Sequence, residues 1–343
     1  MSHTAKKLTG VVVGLALVIP LVLLAFITPA SRATPHHVPI GVAGPAQAVG
    51  QISGQLERRQ PGAFTVTGYR TADELQAAAR DREVYGGFVV GPTPQTVVAT
   101  GASPLVAAML TEIGGSLPDA GPVVDVAPAT ADDPRGAGFG SMVLPVFMTA
   151  MALGLTAATV GRRRRVMALM LPVGAAAVGA TAVGVAMWAG VLGGAFWGQW
   201  LAMSSGILAI GAVVAGAVSV IGTAGAGMAA VVVMLVGMPL AGIASPPEFL
   251  PSFWATLGQS LPLGATGTAL RSAAFFNPAG IVGAGAGTAY LVLAAWIAVG
   301  YGLMQLRREP ADGRADERRL AGRSDAPEVG ESVGAADGVL TVR

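Results

Sequence analysis

The sequence predicts an α-helical polytopic membrane protein. It has six transmembrane helices, a re-entrant helical hairpin before the last of them, and a small extracytoplasmic α/β domain after the first. Three observations predict it. The chain of 343 residues is 53% hydrophobic and only 12% charged, about half the charged share of a soluble domain, and its mean hydropathy is +0.63. Between Val166 and Leu306 the only charged residues are Glu248 and Arg271, a stretch no water-soluble globule would tolerate. Residues 29–139, by contrast, hold seven arginines and ten acids, the composition of a domain folded in water.

A helix needs about 20 apolar residues to cross a bilayer. Such runs are expected at Leu8–Ile27, Ser141–Val160, Val166–Leu192, Leu201–Ile221, Ala226–Ile243 and Ile281–Leu306. The 49 glycines suit helices packed closely in lipid, where small residues let backbones approach. Orientation follows from Lys and Arg at the span ends. Lys6 and Lys7 precede the first span, Arg162, Arg163, Arg164 and Arg165 form the turn between the second and third, and Arg307 and Arg308 follow the sixth. Six spans with these sites on one side alternate consistently in a plasma membrane, with both termini cytoplasmic. Ser31-Arg32-Ala33 resembles a signal-peptide cleavage site, but the preceding apolar run is longer than a signal core. The expected organisation is 1–28 for the N-terminus and first helix, 29–139 for the outside domain and linker, 140–306 for five further helices, and 307–343 for a disordered cytoplasmic tail.

Within the outside domain, Val38–Ala43, Phe64–Tyr69, Val84–Val90 and Thr96–Thr100 read as strands. Ala46–Arg59 is amphipathic, with Val49, Ile52 and Leu56 on one face. Thr71-Ala72-Asp73-Glu74 is a capping box opening a helix to Arg82, and Pro104–Ile113 is a third helix. That alternation argues a small α/β fold. Pro118–Arg135, rich in Pro, Asp and Ala, reads as a linker. His36 and His37 have no further ligands at metal-binding spacing and read as surface residues.

The composition also excludes chemistry. Lys6 and Lys7 are the only lysines and neither follows a Gly-rich loop, so the chain holds no Walker A motif. There is no cysteine and no pairing of nucleophile with base, so no enzyme activity, cofactor or metal is expected. The spans carry no ionisable relay of the kind proton-coupled transporters use. Gly283, Gly285 and Gly287 lie in an apolar run, where helix packing accounts for them. With a net charge of +2, no nucleic-acid partner is expected.

Residues 245–280 are too apolar for a solvent loop and too interrupted by Pro and Gly for one span. Two short helices are expected, Pro251–Leu257 and Gly264–Phe276, dipping into the outer leaflet, where irregular backbone must be shielded by protein or line a cavity. The residues singled out are Pro247, Glu248, Pro251, Trp254, Pro262, Gly264 and Arg271; a pair between Glu248 and Arg271 would lower the burden of burying either charge, and the other reading is that both face the outer headgroups. Trp254, Phe275 and Phe276 suit an interfacial aromatic belt.

The run PPEFLPSFWATLGQSLPLGATGTALRSAAFF resembles the segment before the last helix of type-2 ABC exporter permeases, nearest the Pip/YhgE-like (phage infection protein) branch. The segments HVPIGVAG and EVYGGFVVG resemble parts of the outside domain of that branch, and the likeness extends from about residue 8 to 306. It implies a permease subunit that pairs as a homodimer or heterodimer among membrane lipids. It also implies a separate ATP-binding cassette subunit in trans, contacted at the turn Arg162–Arg165, and export of an amphipathic substrate. ATP would enter only through that partner. For the arginine turn, orientation and contact with anionic lipids is the other reading. For the whole chain, the alternative is a non-transporting envelope scaffold whose outside domain binds a partner.

Overall fold

The computed structural model describes residues 34–117, 120–161, 164–243, 245–276 and 283–306, with eight positions between Val12 and Ile27. Those eight are helical and exposed. The expected first span otherwise lies outside the described residues, as does the tail from Arg307.

The α/β domain is a five-stranded sheet covered on both faces. Its strands are β1 Val38–Ala43, β2 Phe64–Tyr69, β3 Gly86–Val89, β4 Gln95–Val98 and β5 Val123–Asp125, in the order β2-β1-β3-β4-β5. Pairing is parallel except between β3 and β4. Alternation along β1 sends Val38, Ile40 and Val42 to one face, where Ile52 and Leu56 of α1 (Ala46–Arg59) and Val106 and Leu110 of α3 (Pro104–Gly115) meet them. On the other face Ala43 packs with Leu75, Ala78 and Ala79 of α2 (Ala72–Arg80). The capping box is half formed. Thr71 Oγ1 accepts the Glu74 amide at 3.2 Å, but the Glu74 carboxylate turns to the amide and guanidinium of Arg70.

The linker expected over Pro118–Arg135 is corrected by β5. Val123–Asp125 adds to β4 in parallel register with Thr96–Val98. Three residues are too few to show a period of two, so only the available sheet edge makes them a strand.

Among the described residues, four helices are long and apolar enough to cross a membrane: α4 Ala137–Val160, α5 Arg164–Trp188, α6 Phe196–Ile221 and α10 Ala286–Gln305. The span expected at Ala226–Ile243 is helical as far as Leu240 but is not one regular α-helix. It is a helical run cut in three: α7 Thr223–Val232, a π-turn Val233–Gly237, and a last turn Met238–Leu240. Pro239 supplies the reason. It has no amide to donate, and its ring would strike the carbonyl four residues back. The widened turn, in which the Met238 amide reaches the Val233 carbonyl, makes room for it.

Two short helices, α8 (Ser252–Gln259) and α9 (Pro262–Phe275), lie ahead of α10; central to the bundle is α6, which packs on α4, α5, α9 and α10. The short helices fall within two residues of their expected bounds. Asp133 secures the entry to α4: its Oδ2 accepts the Phe139 amide at 2.9 Å, satisfying one of the orphan donors of that helix end. Asp133→Ala is expected to lower stability by about 1 kcal/mol, read as a lower midpoint in thermal unfolding of the detergent-solubilised protein.

Candidate functional site at the domain–hairpin junction

The α/β domain is fastened to the hairpin and to the start of α10 by side chains that the loop after α2 provides. That loop turns sharply at Arg82, whose φ of 58° is a left-handed conformation uncommon for any residue but glycine. The turn aims the guanidinium away from the sheet. Its Nη1 lies 2.7 Å from Ser272 Oγ, 3.2 Å from the Ala284 carbonyl and 3.4 Å from the Thr268 carbonyl. The guanidinium also stands 5.3 Å from the centroid of the Phe276 ring, a cation–π distance. Ala284 is left-handed too, with φ 51°, and its carbonyl accepts from Arg82 Nη1 while lying 2.7 Å from Ser272 Oγ. Two unfavourable backbone conformations thus meet in one hydrogen-bonded contact, and such strain persists only where the surroundings hold it.

Three residues further on, Tyr85 donates its hydroxyl to Glu248 Oε2 at 2.7 Å. The Glu248 carbonyl accepts the His36 amide at 2.8 Å, and Phe249 enters the domain core beside Phe88 and Leu110. The single 3-10 turn Pro247–Phe249 is therefore bound to the domain through its side chains and its backbone. Burial pushes the Tyr85 hydroxyl well above its ordinary range, and the nearby Glu248 carboxylate adds to the rise. Burial also lowers the Arg82 guanidinium, opposed by Tyr85 and Glu248.

The sign of the tyrosine effect gives a test. A raised folded-state value means the Tyr85 contribution is complete below pH 10.0, its ordinary pKa, and is lost as pH climbs beyond it. Tyr85→Phe is expected to lower stability at pH 7 by about 1 kcal/mol. The gap between the two proteins should close above pH 10, measured by thermal unfolding across pH 7–11.

The expected pair between Glu248 and Arg271 is not formed. The ion pair present among the described residues is Arg70–Glu74 on the domain surface. Glu248 is turned into Tyr85, while Arg271 donates to the carbonyls of Ile243 at 2.8 Å and Gly242 at 3.4 Å. Its guanidinium lies 4.8 Å from the centroid of the Phe139 ring. Arg271 is only 9% exposed, so backbone oxygens and an aromatic face take the place of a carboxylate.

The remaining hairpin residues shape the backbone. Pro251 precedes α8 and Pro262 sits in the first turn of α9, where a missing amide goes unnoticed. Gly264 packs on the Gly258 carbonyl, and Gly258 on the Leu240 carbonyl, so closely that a Cβ on either would overlap those atoms. Trp254 is exposed and edges against Phe253, as an interfacial residue would. Phe275 and Phe276 correct the aromatic-belt expectation: Phe276 is buried with Ala99, Ala102 and Ala127, and Phe275 packs on Phe139 at 6.0 Å. Their places are taken in the junction because α9 ends under the domain.

Of the arginine turn, Arg162 and Arg163 lie outside the described residues. Arg164 opens α5, and Arg165 is exposed. This turn joins the ends of α4 and α5 remote from the α/β domain, roughly 36 Å along a 24-residue helix. Three residues separate Val160 from Arg164, too few for a helix of their own.

Sequence reasoning missed Arg82, Tyr85, Ser272, Ala284 and Phe139 as site residues. Tyr85 lay within the quoted segment EVYGGFVVG. Nothing in the spacing of Arg82 set it apart from the other arginines of the domain. Two buried oxygens in the bundle, Gln199 Oε1 and Ser204 Oγ on α6, have no partner among the described residues. No cluster of three or more metal-ligating side chains occurs among the described residues.

No family model, curated protein or solved structure matches the chain. The junction is thus interpreted from its own geometry: Arg82 on Ser272 and carbonyls, Tyr85 on Glu248, and beside them Arg271 on two carbonyls, together holding a water-type domain against a helical hairpin.

Proposed function

We propose that the chain is the permease subunit of an ABC-type exporter of the type-2 class, in the Pip/YhgE-like branch. It would move an amphipathic substrate outward with energy from a separate ATPase subunit. The observation that supports this reading is the attachment of the α/β domain to the hairpin ahead of the last helix. The three segments that carry the resemblance, around Pro39, Tyr85 and Glu248, come together there: Tyr85 donates its amide to the Pro39 carbonyl and its hydroxyl to Glu248. Counting the run Thr223–Leu240 and the first span with the four long helices gives six crossings. The domain and hairpin then lie outside and both termini inside, with the ATPase meeting the side that carries Arg162–Arg165. In the working cycle, rearrangement of the spans around a central path in a dimer reaches the hairpin through α6 and α10, and the hairpin carries the domain with it.

The test is purification of the tagged full chain from its native membrane, followed by flux measurement in vesicles. An ATPase subunit is expected in the complex, and flux is expected to need ATP. A complex without a nucleotide-binding partner, with flux indifferent to ATP, ends this reading. The three-residue connection between α4 and α5 favours a second one, an envelope scaffold, because it leaves no cytoplasmic coupling helix. Deleting residues 35–130 separates the two: a scaffold loses all function, whereas a permease keeps ATP-dependent flux.

A further inference from the structure

Arg271 lines the first of two neighbouring cavities. One is a polar cleft between the α/β domain and the bundle, lined by Thr100, Ser103, Asp133, Arg135, Ser245 and Arg271. The other is an apolar groove in the side of the bundle, bounded by Met142, Val143 and Val146 on α4, Met203 on α6, and Leu263 and Leu270 on α9. Phe139 and Ile243 line both, so the two adjoin across those side chains, a polar cleft beside an apolar groove.

The charges at the polar end favour an anion. Arg271 is nine-tenths buried, and the Gly242 and Ile243 carbonyls take two of its donors out of the five a guanidinium carries. Arg135, exposed at the rim, supplies a second cation. The facing acid is Asp133, whose Oδ2 is already held by the Phe139 amide. Two cations and one acid line the cleft, leaving it one positive charge in excess. The N-terminal end of α3, residues Ser103 and Pro104, also borders the cleft, and its dipole favours negative charge. The groove below offers only apolar side chains and the Thr266 hydroxyl, which is turned onto the Pro262 carbonyl.

We infer that these adjoining cavities bind an anionic membrane amphiphile, with its acidic headgroup at the cleft against Arg271 and Arg135 and its hydrocarbon chain lying along the groove between α4 and α9. The inference deepens the permease reading by naming its substrate class, and it rests on that reading only for the step of export.

The test is photo-crosslinking of the full chain, purified in neutral detergent, with phosphatidylglycerol bearing a diazirine in its acyl chain. Labelling is expected to be saturable and to map to peptides containing Met142–Val146 or Leu263–Leu270. Unlabelled phosphatidylglycerol should compete, and phosphatidylcholine should not. Arg271→Gln is expected to weaken apparent binding at least tenfold and Arg135→Ala about threefold. Val146→Trp, which fills the groove and leaves the cleft intact, should abolish labelling there. If Arg271→Gln fails to fold, the two remaining variants decide. Equal competition by phosphatidylcholine would mean an annular lipid, and full competition by inorganic phosphate would mean a headgroup site alone; either overturns the inference, as does unchanged labelling of Val146→Trp. Binding is measured without any ATPase. Labelling retained in a complex that lacks an ATPase therefore defeats the permease reading alone, and labelling lost in a complex that contains one defeats this inference alone.

Discussion

Replacing Arg82 by methionine is expected to loosen the α/β domain from the hairpin and to lower stability by about 3 kcal/mol. The guanidinium bonds Ser272 Oγ, which is fully buried, and lies within reach of two carbonyls. Hydrogen bonds to a charged donor contribute about 1.5–3 kcal/mol, and removing the donor leaves the buried acceptors without their partner. Methionine keeps most of the stem volume and can still touch Phe276, so the loss reports the charge and its bonds rather than a cavity. Hydrogen exchange is the measurement that places the effect. Faster exchange is expected in residues 83–90 and 262–276 together, while α5 and α6 stay protected. Uniform loosening of the whole bundle, or none, would contradict the clamp. Arg82→Lys should recover part of the loss, because an ammonium can reach one acceptor but cannot stack on Phe276 as a plane does.

Gly264→Val is the second large effect. A Cβ at this position would overlap the Gly258 carbonyl, and Gly258 in turn lies on the Leu240 carbonyl, so α8, α9 and the end of the α7 run are stacked with no side chain between them. Both contacts are to backbone, which cannot swing aside as a flexible side chain does. Overpacking of a tight core ordinarily costs about 1–3 kcal/mol, and more where nothing can move. The hairpin is expected to separate, the folded protein to accumulate poorly, and its unfolding midpoint to fall further than for Arg82→Met. Gly227→Ala provides the control. That glycine has open space around it, and the substitution should be neutral or slightly stabilising.

The α/β domain was legible in the sequence because its patterns are local. Alternation in Val38–Ala43 and Phe64–Tyr69 and the apolar face of Ala46–Arg59 reproduce the observed elements residue for residue. The order of the sheet was not legible, because a strand as short as Val123–Asp125 becomes one only when β4 presents its edge. Among the helices, length and hydropathy identified α4, α5, α6 and α10 but said nothing of the π-turn ahead of Pro239, since an average over a window cannot register where a carbonyl must move aside.

The candidate site divides in the same way. The two charges in the apolar half of the chain, Glu248 and Arg271, stood out in sequence because charge there is rare. Their partners did not, since each lies far away along the chain: Tyr85 for Glu248, and Phe139 for Arg271. Pairing them with each other was the simplest electrostatic expectation. The fold instead satisfies each separately, with a tyrosine hydroxyl for the acid and two carbonyls and a ring for the base. By itself the sequence determined a chain with several apolar helices, a small α/β domain ahead of them and two short helices before the last. Composition and short-range periodicity suffice for that, because lipid and water sort side chains by polarity. Only the tertiary structure decided that Arg82 fastens the domain to the hairpin and that Arg271 lines a polar cleft beside an apolar groove. The first depends on contacts across 186 or more residues of chain and on left-handed turns at Arg82 and Ala284, and the second on Phe139, 132 residues before Arg271, none of which a local pattern announces.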